Sequence, residues 1–136
     1  MKEIEVKQLS SVVLAYIGDA VYELYVRKYL MNNGQMKTQH LHQQAVQFVS
    51  GKAQAAIVLS WLETGYLTEE ETRVVKRGRN TKSLSVPRNI DVQSYRYSTG
   101  FEALIGYHHL LKNEQRLNEL LAHAIQMIEE GKIAHD

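Results

Sequence analysis

Apolar residues recur at three- and four-residue spacing along most of the chain, the period of a helix that buries one face. No stretch alternates as a half-buried strand would. The first such segment, residues 10–31 (SSVVLAYIGDAVYELYVRKYLM), is closed by Asn32, Asn33 and Gly34, residues that stop helices. At 1.5 Å per residue it predicts a helix roughly 30 Å long. A second helix is expected from Thr38, as its cap, through Leu41, Ala45, Val46, Phe48 and Val49, broken by Ser50-Gly51. A third, Lys52 to Glu63, carries Ala53, Ala56, Ile57, Ser60 and Trp61 at helical spacing and ends at Gly65. Thr68 followed by Glu71 is a capping box that starts a fourth helix through Val74, Val75 and Arg77. Residues 80–97 hold the single proline, Pro87, with several Ser and Asn and no helical period, so they read as a long loop. Ser98 is expected to cap a fifth helix, TGFEALIGYHHLLK. Glu114 to Glu130 forms a sixth, with Leu117, Leu120, Leu121, Ala124, Ile125 and Ile128 on its apolar face. The expected class is all-α, about six helices in one domain spanning 1–136.

Composition narrows the chemistry. The chain has no cysteine, which excludes a disulfide framework and a thiolate zinc site. Its charged start, MKEIEVKQ, lacks the apolar core of a signal peptide, and no apolar run approaches the ~20 residues of a membrane helix. A soluble, cytoplasmic protein is expected. Net charge is +1, but it is unevenly spread. Arg73, Lys76, Arg77, Arg79, Lys82, Arg88 and Arg96 face a single acid, Asp91, so residues 73–96 carry +6 and the rest of the chain is mildly acidic. That asymmetry suits a polyanion partner, and equally a solvated basic loop.

Two acids interrupt apolar helices. Asp19 stands among Ile17, Ala20 and Val21, and Glu102 among Phe101, Ala103, Leu104 and Ile105. A buried carboxylate must find a cation or a hydrogen-bond partner. Two from separate helices that converge would make a hard-oxygen site suited to magnesium. Taken by themselves, pairing with a nearby arginine or capping of a backbone group is the more economical account of each. Gly18 beside Asp19 costs about 1 kcal/mol of helix propensity, which close packing or a site would offset. Glu23 is read as the i,i+4 partner of Arg27. His40, His42, His108 and His109 lack the spacing of zinc ligands and read as structural or surface groups. Tyr16, Tyr22, Tyr25 and Tyr29 on the first helix are better suited to core and interface packing than to base stacking. There is no Walker loop, nucleophile elbow or dinucleotide fingerprint.

The segments around the two acids resemble a known family. LAYIGDAVYEL, residues 14–24, is similar to the ribonuclease III signature, and FEALIGYHHL, residues 101–110, to that family's second acidic helix. AVQFVSGKAQA, residues 45–55, resembles the link between its central helices. VVKRGRN, residues 74–80, and YRYSTGFEALIGY, residues 95–107, are closest in character to the Mini-ribonuclease III branch. The resemblance implies the helical endonuclease-domain fold and a magnesium-dependent endoribonuclease that hydrolyses double-stranded RNA, leaving 5′-phosphate and 3′-hydroxyl ends with a short 3′ overhang. It makes Asp19 and Glu102 the catalytic, metal-holding acids and Tyr16 an aromatic at a homodimer interface. Acids of the larger enzymes are replaced here by Val12, Ala15 and Thr99, so the acidic set is reduced. No double-stranded-RNA-binding domain is expected, which leaves affinity to Lys76, Arg77, Arg79, Asn80, Lys82 and Arg88. The implied substrate is the base-paired stalk of precursor 23S ribosomal RNA, with a ribosomal protein as a further partner. Two other readings stand beside this one: a non-catalytic ribonuclease III-like RNA-binding module in ribosome assembly, and a small helical DNA-binding regulator. The second would need its basic residues on a recognition helix, and they cluster in a loop instead.

Overall fold

The computed structural model describes residues 1–34, 37–81 and 85–131, and it builds seven helices and no strand from them. They are α1 (Glu3–Lys7), α2 (Ser11–Asn32), α3 (Thr38–Val49), α4 (Gly51–Thr64), α5 (Glu69–Arg79), α6 (Val92–Leu110) and α7 (Glu114–Glu129). The punctuation read from the sequence largely holds. Ser10 accepts a hydrogen bond from the Val13 amide to open α2, and the helix runs out at Asn33 before Gly34, whose φ is +92°. The Ser50 hydroxyl accepts from the Ala53 amide at the start of α4, and Gly65, with φ +70°, ends it. Thr68 and Glu71 form the reciprocal capping box of α5.

Among the described residues all six expected helices are present, preceded by the five-residue α1, and two expectations about helix ends are corrected. Thr38 is the first residue of α3 and Lys37 occupies the cap position, with no side-chain cap bond. The loop expected over 80–97 ends at Asp91. This residue, and not Ser98, caps α6, its Oδ2 accepting from the Ser94 amide at 3.0 Å. The extra turns of α6 survive without a regular apolar stripe because Ser98 and Gly100 are buried against neighbouring helices.

Helix α6 is the centre of the fold, packed against α2, α4 and α5. Two of these crossings are backbone against backbone. A methyl group on Gly18 of α2 would lie 1.7 Å from the Glu102 carbonyl oxygen, and one on Gly106 of α6 would lie 2.0 Å from the Leu14 carbonyl oxygen. Further along α6, a methyl on Gly100 would lie 2.6 Å from the Val75 carbonyl oxygen of α5, and one on Gly78 would meet the Gly100 Cα at 2.9 Å. Glycine at these positions lets the three helices touch, which longer side chains would prevent. Around the crossings the core is aromatic. Trp61, Tyr22 and Phe101 are fully buried, the Tyr22 and Phe101 rings meet edge-on at 4.9 Å, and the Trp61 indole N–H donates to His123 at 2.8 Å. The apolar face of α7, from Leu117 to Ile128, closes that core as expected.

One polar node is buried with it. Glu71 is bound by Arg116 through Nε and a terminal nitrogen, each at 2.8 Å, and by His108 Nε2 at 2.7 Å. Burial works to raise the Glu71 carboxyl, but the Arg116 guanidinium, the Thr68 amide and His108 outweigh it and hold the group down at about 2. His108 is thus structural, while His40, His42 and His109 are exposed. No helix of the described residues is long and apolar enough to cross a membrane.

Candidate active site

The crossing of Gly18 on Glu102 fixes what stands beside it. Asp19 is the next residue along α2, so the backbone contact brings its side chain to Glu102 of α6, 83 positions away in sequence. The two carboxyl groups lie within hydrogen-bonding reach of each other. Their environments differ. Asp19 is exposed, contrary to what its apolar neighbours in sequence suggest, because it sits on the rim of the helix face that packs on α6. Glu102 is largely buried. Burial is the main cause that pushes its carboxyl up to about 9, and the adjacent Asp19 adds to this by hydrogen bonding and by its charge; a hydrogen bond from Gln54 works the other way. Burial and Asp19 both favour the protonated form of Glu102 in the free protein.

Gln54, on the first turn of α4, is the residue that sequence reasoning missed. It is 2% exposed, and its amide donates to the Glu102 carboxyl at 3.3 Å and to the Val49 carbonyl at 3.1 Å. The signal was available: a polar side chain inside the apolar run of Ala53, Ala55, Ala56 and Ile57 is the same anomaly that marks the two acids. A cleft of about 830 Å³ opens beside Glu102, bounded by the α3–α4 junction, the 87–90 segment and the first turns of α6.

The donor set suits a hard cation. Two carboxylates provide charged oxygens, and no group of three or more His, Cys, Asp or Glu side chains gathers anywhere among the described residues. That composition matches magnesium, which keeps much of its water and takes one or two carboxylates, better than zinc or calcium. Val12 is exposed on α2, Ala15 is buried, and the Thr99 hydroxyl is committed to the Tyr95 carbonyl at 3.1 Å.

The basic residues lie on the neighbouring helix and beyond. Lys76 and Arg77 are exposed on the last turns of α5, and Arg77 donates to the Leu9 carbonyl at 3.4 Å. Arg79 lies over the Tyr97 ring at 5.7 Å and donates to the side chain of Asn80, which is exposed at the helix end. The Gly78–Gly100 contact sets this basic turn against α6 two residues from Glu102. Arg88 is exposed in the segment between α5 and α6, and Lys82 lies outside the described residues. Glu23 pairs with Arg27 at 2.6 Å, as expected, and not with the acids. The tyrosine stripe divides. Tyr22 is buried and donates to the Phe48 carbonyl at 2.9 Å, whereas Tyr16 projects outward, 78% exposed.

A convergent acid pair on glycine-packed helices, with a cationic helix end alongside, has charges that phosphodiester hydrolysis could use. Comparison with known proteins gives it a class: residues 12–113 match the Ribonuclease III domain model, and the chain belongs to the ribonuclease III family. It is 48% identical to the Mini-ribonuclease 3 of Enterococcus faecalis over 91% of this chain and 94% of that one. It is 46% identical to the Streptococcus pneumoniae Mini-ribonuclease 3 over 93% and 98%, respectively. Identity at this level over almost the whole length puts it in the Mini-ribonuclease 3 group, as a ribonuclease. A crystal structure of a Fusobacterium nucleatum protein superposes with a TM-score of 0.79 at 31% identity, over 90% of this chain and 96% of that one.

Proposed function

We propose that the chain is a magnesium-dependent endoribonuclease that hydrolyses double-stranded RNA, with Asp19 and Glu102 as the residues that hold the cation. The observation that carries this reading is the acid pair itself: two carboxyl groups from separate helices kept in contact by a glycine crossing, at a cost in ionisation that a bound cation would relieve. When bound, Mg²⁺ supplies activation of the attacking water and stabilisation of charge on the leaving 3′-oxygen. Asp19, exposed, is the residue that faces substrate. Glu102, behind it, would be the second carboxyl to hold the cation.

RNA is held by shape and phosphate, through Lys76, Arg77, Arg79, Asn80, Lys82 and Arg88. The proximity of the basic end of α5 to α6 supports that assignment for the first four. Two staggered cuts require two sites, and a two-fold homodimer supplies them. Support for the dimer comes from α2, where Val12, Tyr16, Ala20 and Leu24 follow one another at four-residue spacing and are all exposed. Such an apolar strip is costly to leave in water. The family resemblance supports precursor 23S ribosomal RNA as substrate, in the cytoplasm, with a ribosomal protein as a further partner.

The test is cleavage of a long RNA duplex with and without Mg²⁺, by the wild-type chain and by Asp19→Asn and Glu102→Gln. The wild type should cut only with the cation, and both variants should bind the duplex without cutting it. Cleavage by Asp19→Asn at the wild-type rate would overturn the assignment. Duplex binding without cleavage by the wild type would favour the non-catalytic module, a reading that the reduced acidic set keeps in play.

A further inference from the structure

With acids at only two positions, the orientation of each carboxyl matters, and one side chain governs that of Glu102. The amide nitrogen of Gln54 faces two oxygens, the Val49 carbonyl at 3.1 Å and Glu102 Oε2 at 3.3 Å. The NH₂ group must face this way, since the flipped amide would set its oxygen against the Val49 carbonyl, which can only accept. The Val49 carbonyl belongs to the last turn of α3, where the helix ladder leaves carbonyls without partners. Gln54 therefore links the end of α3, the start of α4 and the middle of α6 through one buried group. Its own oxygen, Oε1, is fully buried and has no donor among the described residues. A side chain that served only to close α3 would not need to carry an orphaned acceptor into the wall of the cleft beside Glu102.

We propose that Gln54 is a positioning residue of the cleavage centre: its N–H holds the Glu102 carboxyl turned toward Asp19. The proposal rests on the reading of Asp19 and Glu102 as the cation-holding pair. Val12, Ala15 and Thr99 bring no charge to the pair, which leaves the amide as its polar support from α4.

The test is calorimetric titration of Mn²⁺ into the RNA-free protein, run beside thermal unfolding, for the wild type, Gln54→Met, Gln54→Leu and Asp19→Asn. Methionine keeps the length of the side chain and removes both the donor and the acceptor. Loss of a partner that orients a ligand typically costs about 10- to 100-fold in metal affinity, and that weakening is expected for both Gln54 variants. Excess cation should recover part of the lost cleavage rate. A group that merely closes α3 would lower the melting temperature and leave the Mn²⁺ dissociation constant alone, so a folded Gln54→Met within twofold of wild-type affinity overturns the proposal. If Asp19→Asn also keeps wild-type affinity, the acid pair is not the cation site and the underlying reading fails first. Should neither Gln54 variant fold, the side-chain amide of Gln54 in the wild type serves instead. Its NMR signal should move on titration with Mg²⁺ and stay fixed in Asp19→Asn; a signal that does not move in the wild type refutes the role.

Discussion

Replacing Gly18 by alanine tests the link between the helix crossing and the chemistry. The added methyl group would lie 1.7 Å from the Glu102 carbonyl oxygen, 2.7 Å from its carbon and 2.9 Å from the Gly106 nitrogen. An ordinary contact begins near 3.4 Å, so α2 and α6 must separate locally by about 1.7 Å. Both sides of the clash are backbone, and no side chain can rotate away. Overpacking of a core typically costs about 1–3 kcal/mol, and this site belongs at the upper end. For a chain of this size about 3 kcal/mol corresponds to a melting temperature roughly 10 °C lower. The chemistry should suffer more than the fold, since the same movement carries Asp19 away from Glu102. Misplacing a catalytic group by about 1 Å can cost on the order of 100-fold in rate. The assay is duplex cleavage well below the lowered melting temperature, beside calorimetric unfolding. Gly106→Ala, which would clash with the Leu14 carbonyl at 2.0 Å, should reproduce the defect. Gly65→Ala is the control, because it strains only the positive φ that ends α4; it should cost about 1 kcal/mol and leave cleavage unchanged. A Gly18→Ala protein with wild-type melting and wild-type cleavage would refute the argument that the crossing sets the site.

Four further outcomes are expected. Glu102 holds its proton up to about pH 9 in the folded protein, while an unfolded carboxyl ionises near 4.5. Between those values the unfolded state binds fewer protons, so stability falls as pH rises. Glu102→Gln should therefore melt higher than the cation-free wild type at pH 8 and no higher at pH 4, and a lower melting temperature at pH 8 would contradict this. Glu71 has the opposite sign: held down at about 2, it contributes stability that is present above pH 4.5 and lost as pH falls toward 2. Glu71→Gln should cost about 2 kcal/mol at pH 7, by denaturant titration, and the gap from wild type should close at pH 2. Sedimentation at micromolar concentration should find a dimer of twice 15.6 kDa, weakened by Tyr16→Asp; a monomer that cuts both strands would exclude the dimer. Replacing Lys76, Arg77 and Arg79 together with alanine should flatten the salt dependence of duplex binding by up to about three phosphate contacts while sparing the rate at saturating RNA; an unchanged slope would mark these residues as solvated surface.

Much of this molecule was determined locally. Ser10, Ser50 and the Thr68–Glu71 box act on amides three residues away, and Gly34 and Gly65 take backbone angles that other residues resist, so helix ends could be read without the fold. Asp19 and Glu102 stood out because a carboxyl in an apolar run conflicts with its neighbours whatever surrounds it. What local reading could not supply was the partner of each group. The first turns of α6, from Val92 to Tyr97, show no clean apolar stripe, and their helix is sustained by packing of Ser98 and Gly100 against other elements. Asp19 is exposed although its neighbours in sequence are apolar, because burial depends on which face meets α6. Gly106, Gly100 and Gly78 carried no chemistry in sequence, yet they set the distances at which helices cross, and through Gly18 the distance between the two acids. Gln54 reaches Glu102 across 48 positions, a contact that no periodicity encodes. Capping and hydrophobic period act over three or four residues, whereas the site is a meeting of α2, α4 and α6, and only tertiary packing brings them together.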